Sequence, residues 1–300
     1  MYPRYPDRYN GGVKRSRTLR KALLLLAAAA LLIAAWVAVT LLTLPPVTPL
    51  VDPRMSMVID VKDWQKRAHK FVVGPRNPRW TPYGAIPPTL KKAVVAAEDA
   101  HFYAHEGVDY EAMKDAIRTD LEKGRFARGG STITQQLAKN LFLSREKTLI
   151  RKGKEIVLAW RMEDALTKRR ILELYLNVVE LGPMVYGIGH ASQYYFGKPP
   201  SALTVRECAF LASMLPGPRV YNPYRKMDRV MRRSDRILRR MVAARMIGRE
   251  EYEAAMAEIP NLAGLERKVE NTLAAPPPEE KSPADPERTG PWQEGPSPPE

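Results

Sequence analysis

Cysteine is almost absent: the 300 residues hold one, Cys208, so an intramolecular disulfide is excluded. Stability in any oxidising compartment must come from a buried core. Cys208 lies in "LTVRECAFLASML", a segment that predicts a buried helix opened by a Thr204–Glu207 capping box, and it is assigned to packing. Histidine is scarce as well, with four in the chain. The signature H-E-x-x-H is missing, because "HFYAH" has Phe102 where a zinc protease needs glutamate. With His69 and His190 remote in sequence, His101 and His105 read as structural side chains near a helix end. Acid is in deficit, 33 Asp and Glu against 48 Lys and Arg. Strand-like alternation is rare, "MSMVIDV" being the best example, and no internal repeat is present. The prediction is a mainly α protein.

Long apolar runs are absent except for one. "ALLLLAAAALLIAAWVAVTLLTL", residues 22–44, carries no charge and stops at Pro45-Pro46. At ~1.5 Å per helical residue it is long enough to cross the ~30 Å hydrocarbon layer. A signal peptide has a shorter apolar region and a small-residue cleavage site, neither of which fits, so the run reads as an uncleaved anchor. The chain then divides into a basic segment (1–21), the anchor (22–44), a juxtamembrane segment (45–75), a globular domain (76–265) and a Pro/Glu-rich tail (266–300). Arg4, Arg8, Lys14, Arg15, Arg17, Arg20 and Lys21 precede the anchor, while the stretch just after it carries only Arg54. The positive-inside rule places the N-terminus in the cytoplasm and the bulk of the protein outside it. The tail has nine prolines and six acids from position 271 onward and cannot bury a core, so disorder is expected there. Trp292 is a candidate anchor for a partner in the tail.

A net charge of +15 suggests nucleic acid, but an exported domain meets little of it, so nucleic acid is excluded as a partner. Anionic lipid surfaces and lipid-linked substrates are what such a domain meets. Arg225, Lys226, Arg229, Arg232, Arg233, Arg236, Arg239 and Arg240 interleave with Met227, Val230, Met231, Ile237, Leu238 and Met241 at helical spacing. This is either a solvated face over a core stripe or a membrane-surface contact.

The globular part reads as helices almost throughout. "PPTLKKAVVAAEDAHFYAH" puts Leu90, Val94, Ala97 and His101 on one face behind favourable prolines. "STITQQLAKNLFL" aligns Ile133, Leu137 and Leu141, with Thr132 and Gln135 placed for a capping box. "KTLIRKGKEIVLAWRMEDAL" stacks Leu149, Ile156 and Trp160. "TKRRILELYLNVV" stacks Ile171, Tyr175 and Val178 after a Thr167 cap.

Three clusters carry more polar chemistry than packing needs. In "AAEDAHFYAHEGVD", Glu98 falls at the margin of the apolar stripe and Asp99 points away from it. A carboxylate at an apolar margin tends toward a raised pKa, which suits an acid or base. In "ARGGSTITQQLAKN", Gly129 and Gly130 lead to a helix N-terminus bearing Ser131 and Thr132, where an anion can be held. Gly130 stands where a P-loop requires lysine, and no strand precedes it, so a nucleotide triphosphatase is excluded. The helix that follows lines up Gln135, Gln136, Lys139 and Asn140. In "KTLIRKGKE", Lys147, Arg151, Lys152 and Lys154 surround Glu155. Arg151 before Glu155 is the less favourable order for a surface pair, and four cations about one carboxylate suit a diphosphate.

"EDAHFYAHEG", "GGSTITQQLAKN", "RKGKE" and "ILELYLN" occur in this order and closely resemble four motifs of the glycosyltransferase family 51 peptidoglycan polymerases. The segment "VYGIGHASQYYFGKPPSALTVRECAFLASMLPGPRVYNP" resembles the rest of that domain, over residues 77–260. The resemblance implies a lysozyme-like helical core, and, with an anchor and no length for a transpeptidase domain, a monofunctional enzyme. It implies that Glu98 is the general base for the GlcNAc 4-hydroxyl of lipid II, with Asp99 in the same motif, and that Glu155 acts near the departing diphosphate. Lys139 and Lys154 match diphosphate-holding positions. Lys147 falls where family members often carry arginine, a contact that lysine cannot make bidentate. Ser131, Thr132, Gln135, Gln136 and Asn140 match the helix lining the cleft, with Arg151 and Lys152 beside it, and residues 103–128 would include a mobile loop. The donor would be a growing glycan on undecaprenyl diphosphate, transferred with inversion. A divalent cation (Mg²⁺ or Mn²⁺), ligands unassigned, and cell-wall synthesis or division proteins as partners are implied in the same way, as is a bacterial inner-membrane location. A lytic enzyme would not need the cations around Glu155, and a non-catalytic scaffold should have lost Glu98, Glu155 or Lys139.

Overall fold

A computed structural model of the chain describes residues 12–63, 65–123, 130–143, 148–217 and 220–262. Lys147, Gly129, part of the 103–128 loop, the tail and most of the basic segment lie outside them. The chain separates into two compact units, Met1–Pro46 and Val47–Glu300.

The first unit is built on α1 (Gly12–Leu42). Its 24-residue stretch Leu19–Leu42 is apolar and wholly unburied, with Leu24, Leu31, Leu32 and Ile33 each more than 60% exposed. At ~1.5 Å per residue that stretch exceeds the ~30 Å hydrocarbon layer. An apolar helix left unburied in this way fits a membrane anchor.

The second unit opens with a hairpin of β1 (Met57–Lys62) and β2 (Ala68–Val73), paired antiparallel from Met57↔Val73 to Lys62↔Ala68. The expected strand is therefore present. Asp63 closes the turn by accepting from the Arg67 backbone N–H and side chain and from His69. Helices follow: α2 (Pro88–Glu98), α3 (Tyr110–Lys123), α4 (Ile133–Phe142), α5 (Leu149–Ala165) and α6 (Lys168–Val178). A short β3 (Glu180–Gly182) and β4 (Val185–Tyr186) pair precedes α7 (Ile188–Phe196), α8 (Val205–Met214), α9 (Pro223–Ala243) and α10 (Arg249–Ala257). The protein is mainly helical, as read from its periodicity.

Two helix groups form the core. α2 packs on α8 and α9, and α4 packs on α5 and α6. α8 is buried along its length, with Cys208 fully enclosed and the Thr204–Glu207 capping box formed. Burial holds the Cys208 thiol well above its usual value, up to about 12, which keeps it protonated and inert. Thr167 caps α6, and Ile171, Tyr175 and Val178 are buried as expected.

Two expectations fail. α2 stops at Glu98, because Asp99 takes an extended backbone (φ −159°, ψ 77°). His101 therefore lies beyond the helix, mostly exposed, where its ring meets the Asp109 carboxylate at 2.8 Å. On α5 the apolar stripe is misleading: Leu149 and Trp160 are exposed, while Glu155, Leu158, Ala159 and Met162 face inward. A buried glutamate among cations overrides the apolar period, because those cations supply the partners that its burial requires.

Candidate active site

The C-terminus of α2, the N-terminal half of α4 and the first turns of α5 converge on one polar region. Glu98 is the last residue of α2, and its side chain is 8% exposed. One carboxylate oxygen accepts from Gln136 Nε2 of α4 at 2.9 Å. The other accepts from Arg233 of α9 at 3.2 Å. Tyr175 of α6, fully buried, donates its hydroxyl to Gln136 Oε1 at 3.0 Å and so fixes which way the amide faces. Burial raises the Glu98 pKa above the usual carboxylate range, against the lowering pull of Gln136, Arg233 and Lys139. The predicted margin carboxylate with a raised pKa is what the structure contains.

Asp99 departs from the helical-wheel reading. It does not point to solvent; its side chain is 2% exposed. Leaving the helix at Asp99 turns the carboxylate inward, where Oδ2 accepts from the Ile133 N–H at 2.9 Å, the first residue of α4. His105 Nε2 donates to the same carboxylate at 2.9 Å. An acidic group at a helix N-terminus is favoured by the dipole and satisfies an otherwise orphaned donor. Asp99 and His105 thus dock the Glu98 segment onto α4.

Thr132 is the N-cap of α4. Its hydroxyl accepts from the Gln135 N–H at 3.2 Å and donates to the Gly107 carbonyl at 2.7 Å. The expected capping box is only half made, because the Gln135 side chain is used elsewhere. Gln135 Oε1 accepts from Lys152 Nζ at 3.0 Å, and Ser131 Oγ accepts from it at 2.8 Å. Lys152 also lies 3.0 Å from Glu155 Oε2, while Arg151 holds Glu155 Oε1. Glu155 is 3% exposed, so the Arg151–Glu155 pair is an enclosed one and not a surface pair. Desolvation, with the neighbouring charges of Arg151 and Lys139, brings the Lys152 pKa down to about 8.

Lys139 lies one turn after Gln135 and Gln136, and its charge acts on both Glu98 and Lys152. Asn140 follows Gln136 by one turn, and Lys154 precedes Glu155; both are half-buried. Glu98, Asp99, Ser131, Gln135 and Lys152, with Glu155 and Arg151 through Lys152, are therefore gathered around α4. Two members escaped sequence reading. Arg233 was one of eight α9 cations with nothing local to single it out, and Tyr175 counted only as an apolar stripe residue. The "ILELYLN" motif that contains Tyr175 was the available signal.

No group of three His, Cys, Asp or Glu side chains is placed to hold a metal among the described residues. Asp99 and Glu155 are engaged by a helix N–H, an imidazole and two cations. Mg²⁺ is commonly held by one or two carboxylates together with substrate phosphates, and these contacts identify no residue as a ligand for the expected Mg²⁺ or Mn²⁺.

Residues 65–242 match the family model for transglycosylases. The biosynthetic peptidoglycan transglycosylase of Herminiimonas arsenicoxydans is 42% identical over 202 residues, 67% of this chain and 84% of that one. The protein of the same name from Nitrosomonas eutropha is 41% identical over 231 residues, 77% and 93% of the two chains. That of Laribacter hongkongensis is 47% identical over 163 residues, covering 54% and 72%. With the family model spanning more than half of its length and relatives aligned over most of theirs, this chain belongs to the biosynthetic peptidoglycan transglycosylases.

Proposed function

We propose that the enzyme polymerises peptidoglycan glycan from lipid II. One observation carries this reading. α4 holds a buried carboxylate, Glu98, through Gln136, and through Gln135 and Ser131 it holds the ammonium of Lys152 among Arg151, Glu155 and Lys139. A base and a cation cluster held on one rigid helix are what an inverting transfer from a diphosphate requires, since negative charge leaves opposite to where the proton is removed.

Glu98 takes the proton from the GlcNAc 4-hydroxyl of lipid II. The hydroxyl oxygen attacks the anomeric carbon of the growing glycan. The bond from that carbon to the diphosphate breaks, undecaprenyl diphosphate leaves with the bonding electrons, and configuration inverts from α to β. A raised pKa strengthens Glu98 as a base. Lys152 and Lys139 receive the diphosphate charge, with Arg151 and Glu155 orienting Lys152. Lys154 and Asn140 extend the lining, and Lys147, outside the described residues, is placed with the diphosphate contacts by the motif resemblance alone. A lytic enzyme would have no use for the cation cluster. The apolar helix and the basic residues before it support a single-pass protein in the bacterial inner membrane, N-terminus cytoplasmic and catalytic unit outside. Lipid II and the lipid-linked glycan would then reach the enzyme from the membrane.

The test is polymerisation of labelled lipid II in detergent by wild type, Glu98→Gln and Lys139→Ala, with glycans resolved on gels with and without muramidase. Wild type is expected to give muramidase-sensitive chains. Glu98→Gln should lose ~10²–10⁴-fold in rate, the usual worth of a positioned base. A folded wild type that makes no chains would overturn the polymerase reading, and a fully active Glu98→Gln would overturn the base assignment.

A further inference from the structure

We propose that Arg233 is a positioning residue for the transfer step: from α9 its guanidinium, seated on the Tyr221 ring, orients the Glu98 carboxylate and keeps it charged. This rests on the reading of Glu98 as the base.

The α9 cations are not equivalent. Arg225, Lys226, Arg232, Arg236 and Arg239 are exposed, as a solvated face requires, and Arg229 is half-buried. The Arg233 side chain is only 20% exposed and reaches a carboxylate 135 positions away in sequence. Its guanidinium and that of Arg229 each lie 5.3 Å from the centroid of the Tyr221 ring, within cation–π range. The same face of α9 carries Ile237, which is buried, and Arg240, whose guanidinium reaches the Ala96 carbonyl of α2 at 3.4 Å. Beyond the end of α9, the Met246 carbonyl accepts from Lys92 of α2 at 2.8 Å. α9 is therefore tied to α2 at two further points, both on the C-terminal side of Arg233, which helps fix where the guanidinium is delivered.

A buried ion pair is a weak source of net stability, because desolvating two charges offsets most of their attraction. Fixing one carboxylate rotamer is a separate benefit. With one oxygen taken by Gln136 and the other by Arg233, the carboxylate plane is set, and an ionised carboxylate still has lone pairs free on both oxygens for a substrate proton. The charged and titratable groups about Glu98 are Lys139 from α4, Arg233 from α9 and Tyr175 from α6, with Asp99 next to it in the chain. Tyr175 is held neutral by burial, and Asp99 is committed to α4 and His105. Arg233 and Lys139 are then the cations that favour the ionised base, and Arg233 contacts it through a hydrogen bond as well as charge.

The sign follows. A base works when deprotonated, so activity rises with pH through its pKa. Removing an adjacent cation raises that pKa and moves the acid limb to higher pH. The experiment is the pH profile of kcat/KM for labelled lipid II with the full chain in detergent, for wild type, Arg233→Met, Arg233→Lys, Tyr221→Leu and Glu98→Gln. Arg233→Met is expected to shift the acid limb upward by about one pH unit or more, losing about tenfold on that limb and recovering part of it at high pH. Arg233→Lys should keep the wild-type limb with a lower plateau. Tyr221→Leu, which leaves both ion partners in place, should shift it less than Arg233→Met and stands in if that variant fails to fold. An unshifted limb in both Arg233→Met and Tyr221→Leu, or Arg233→Lys behaving as Arg233→Met, would overturn the inference. If Glu98→Gln is inactive while these limbs stay put, the Arg233 role alone fails. If Glu98→Gln is active, the base reading fails and takes this inference with it.

Discussion

Lys152 donates to Ser131 and Gln135 and pairs with Glu155, yet its pKa falls to about 8 because desolvation and the charges of Arg151 and Lys139 outweigh those partners. A lysine is cationic below its pKa, so a diphosphate-binding role for Lys152 weakens as pH rises through about 8. KM for labelled lipid II is therefore expected to climb on the alkaline side in the wild type. Lys152→Met should show a KM raised about tenfold or more with no such climb, since a charge-assisted contact is worth roughly 1.5–3 kcal/mol. Kinetics across that limb would check it. At this scale the sequence showed that Glu155 stood among cations but not that it was buried, since an i, i+4 pair looks the same on a surface as in a core.

At the scale of the element, α4 is what makes three distant segments into one site. Its N-terminus is held by Asp99, and its cap by Thr132 bridging to Gly107. Gly107 has φ +85°, and a Cβ there would sit 3.1 Å from the Ala159 backbone carbon of α5. Gly107→Ala is thus expected to destabilise by about 1–3 kcal/mol, combining left-handed backbone cost with a contact the α5 backbone cannot relieve. Thr132→Val should cost about 1 kcal/mol by removing the cap, with Thr132→Ser close to wild type. Thermal melts of the three variants would test both statements. Capping was legible because it depends on neighbours three residues apart. The end of α2 was not, since nothing local in "AAEDAHFYAH" stops a helix; Asp99 leaves it to reach Ile133, 34 positions on.

At the scale of the whole molecule, the unburied Leu19–Leu42 stretch calls for a lipid environment. Leu31→Arg with Ile33→Arg, near the middle of that stretch, should each cost about 2.5 kcal/mol of insertion and move the protein out of the carbonate-resistant membrane fraction. Retention there would argue that something other than this helix holds it.

What the sequence by itself determined is whatever short-range chemistry decides: the helical class, the apolar span, the caps at Thr132, Thr167 and Thr204, and the residue clusters that carry the family likeness. Each depends on spacing of a few residues, where the geometry of one helix suffices. Only the tertiary structure decided that Asp99 turns inward, that α5 buries Glu155 and leaves Trp160 exposed, and that Arg233 meets Glu98. Those outcomes depend on which helix lies opposite, and a buried charge is tolerated only where a distant partner arrives to meet it.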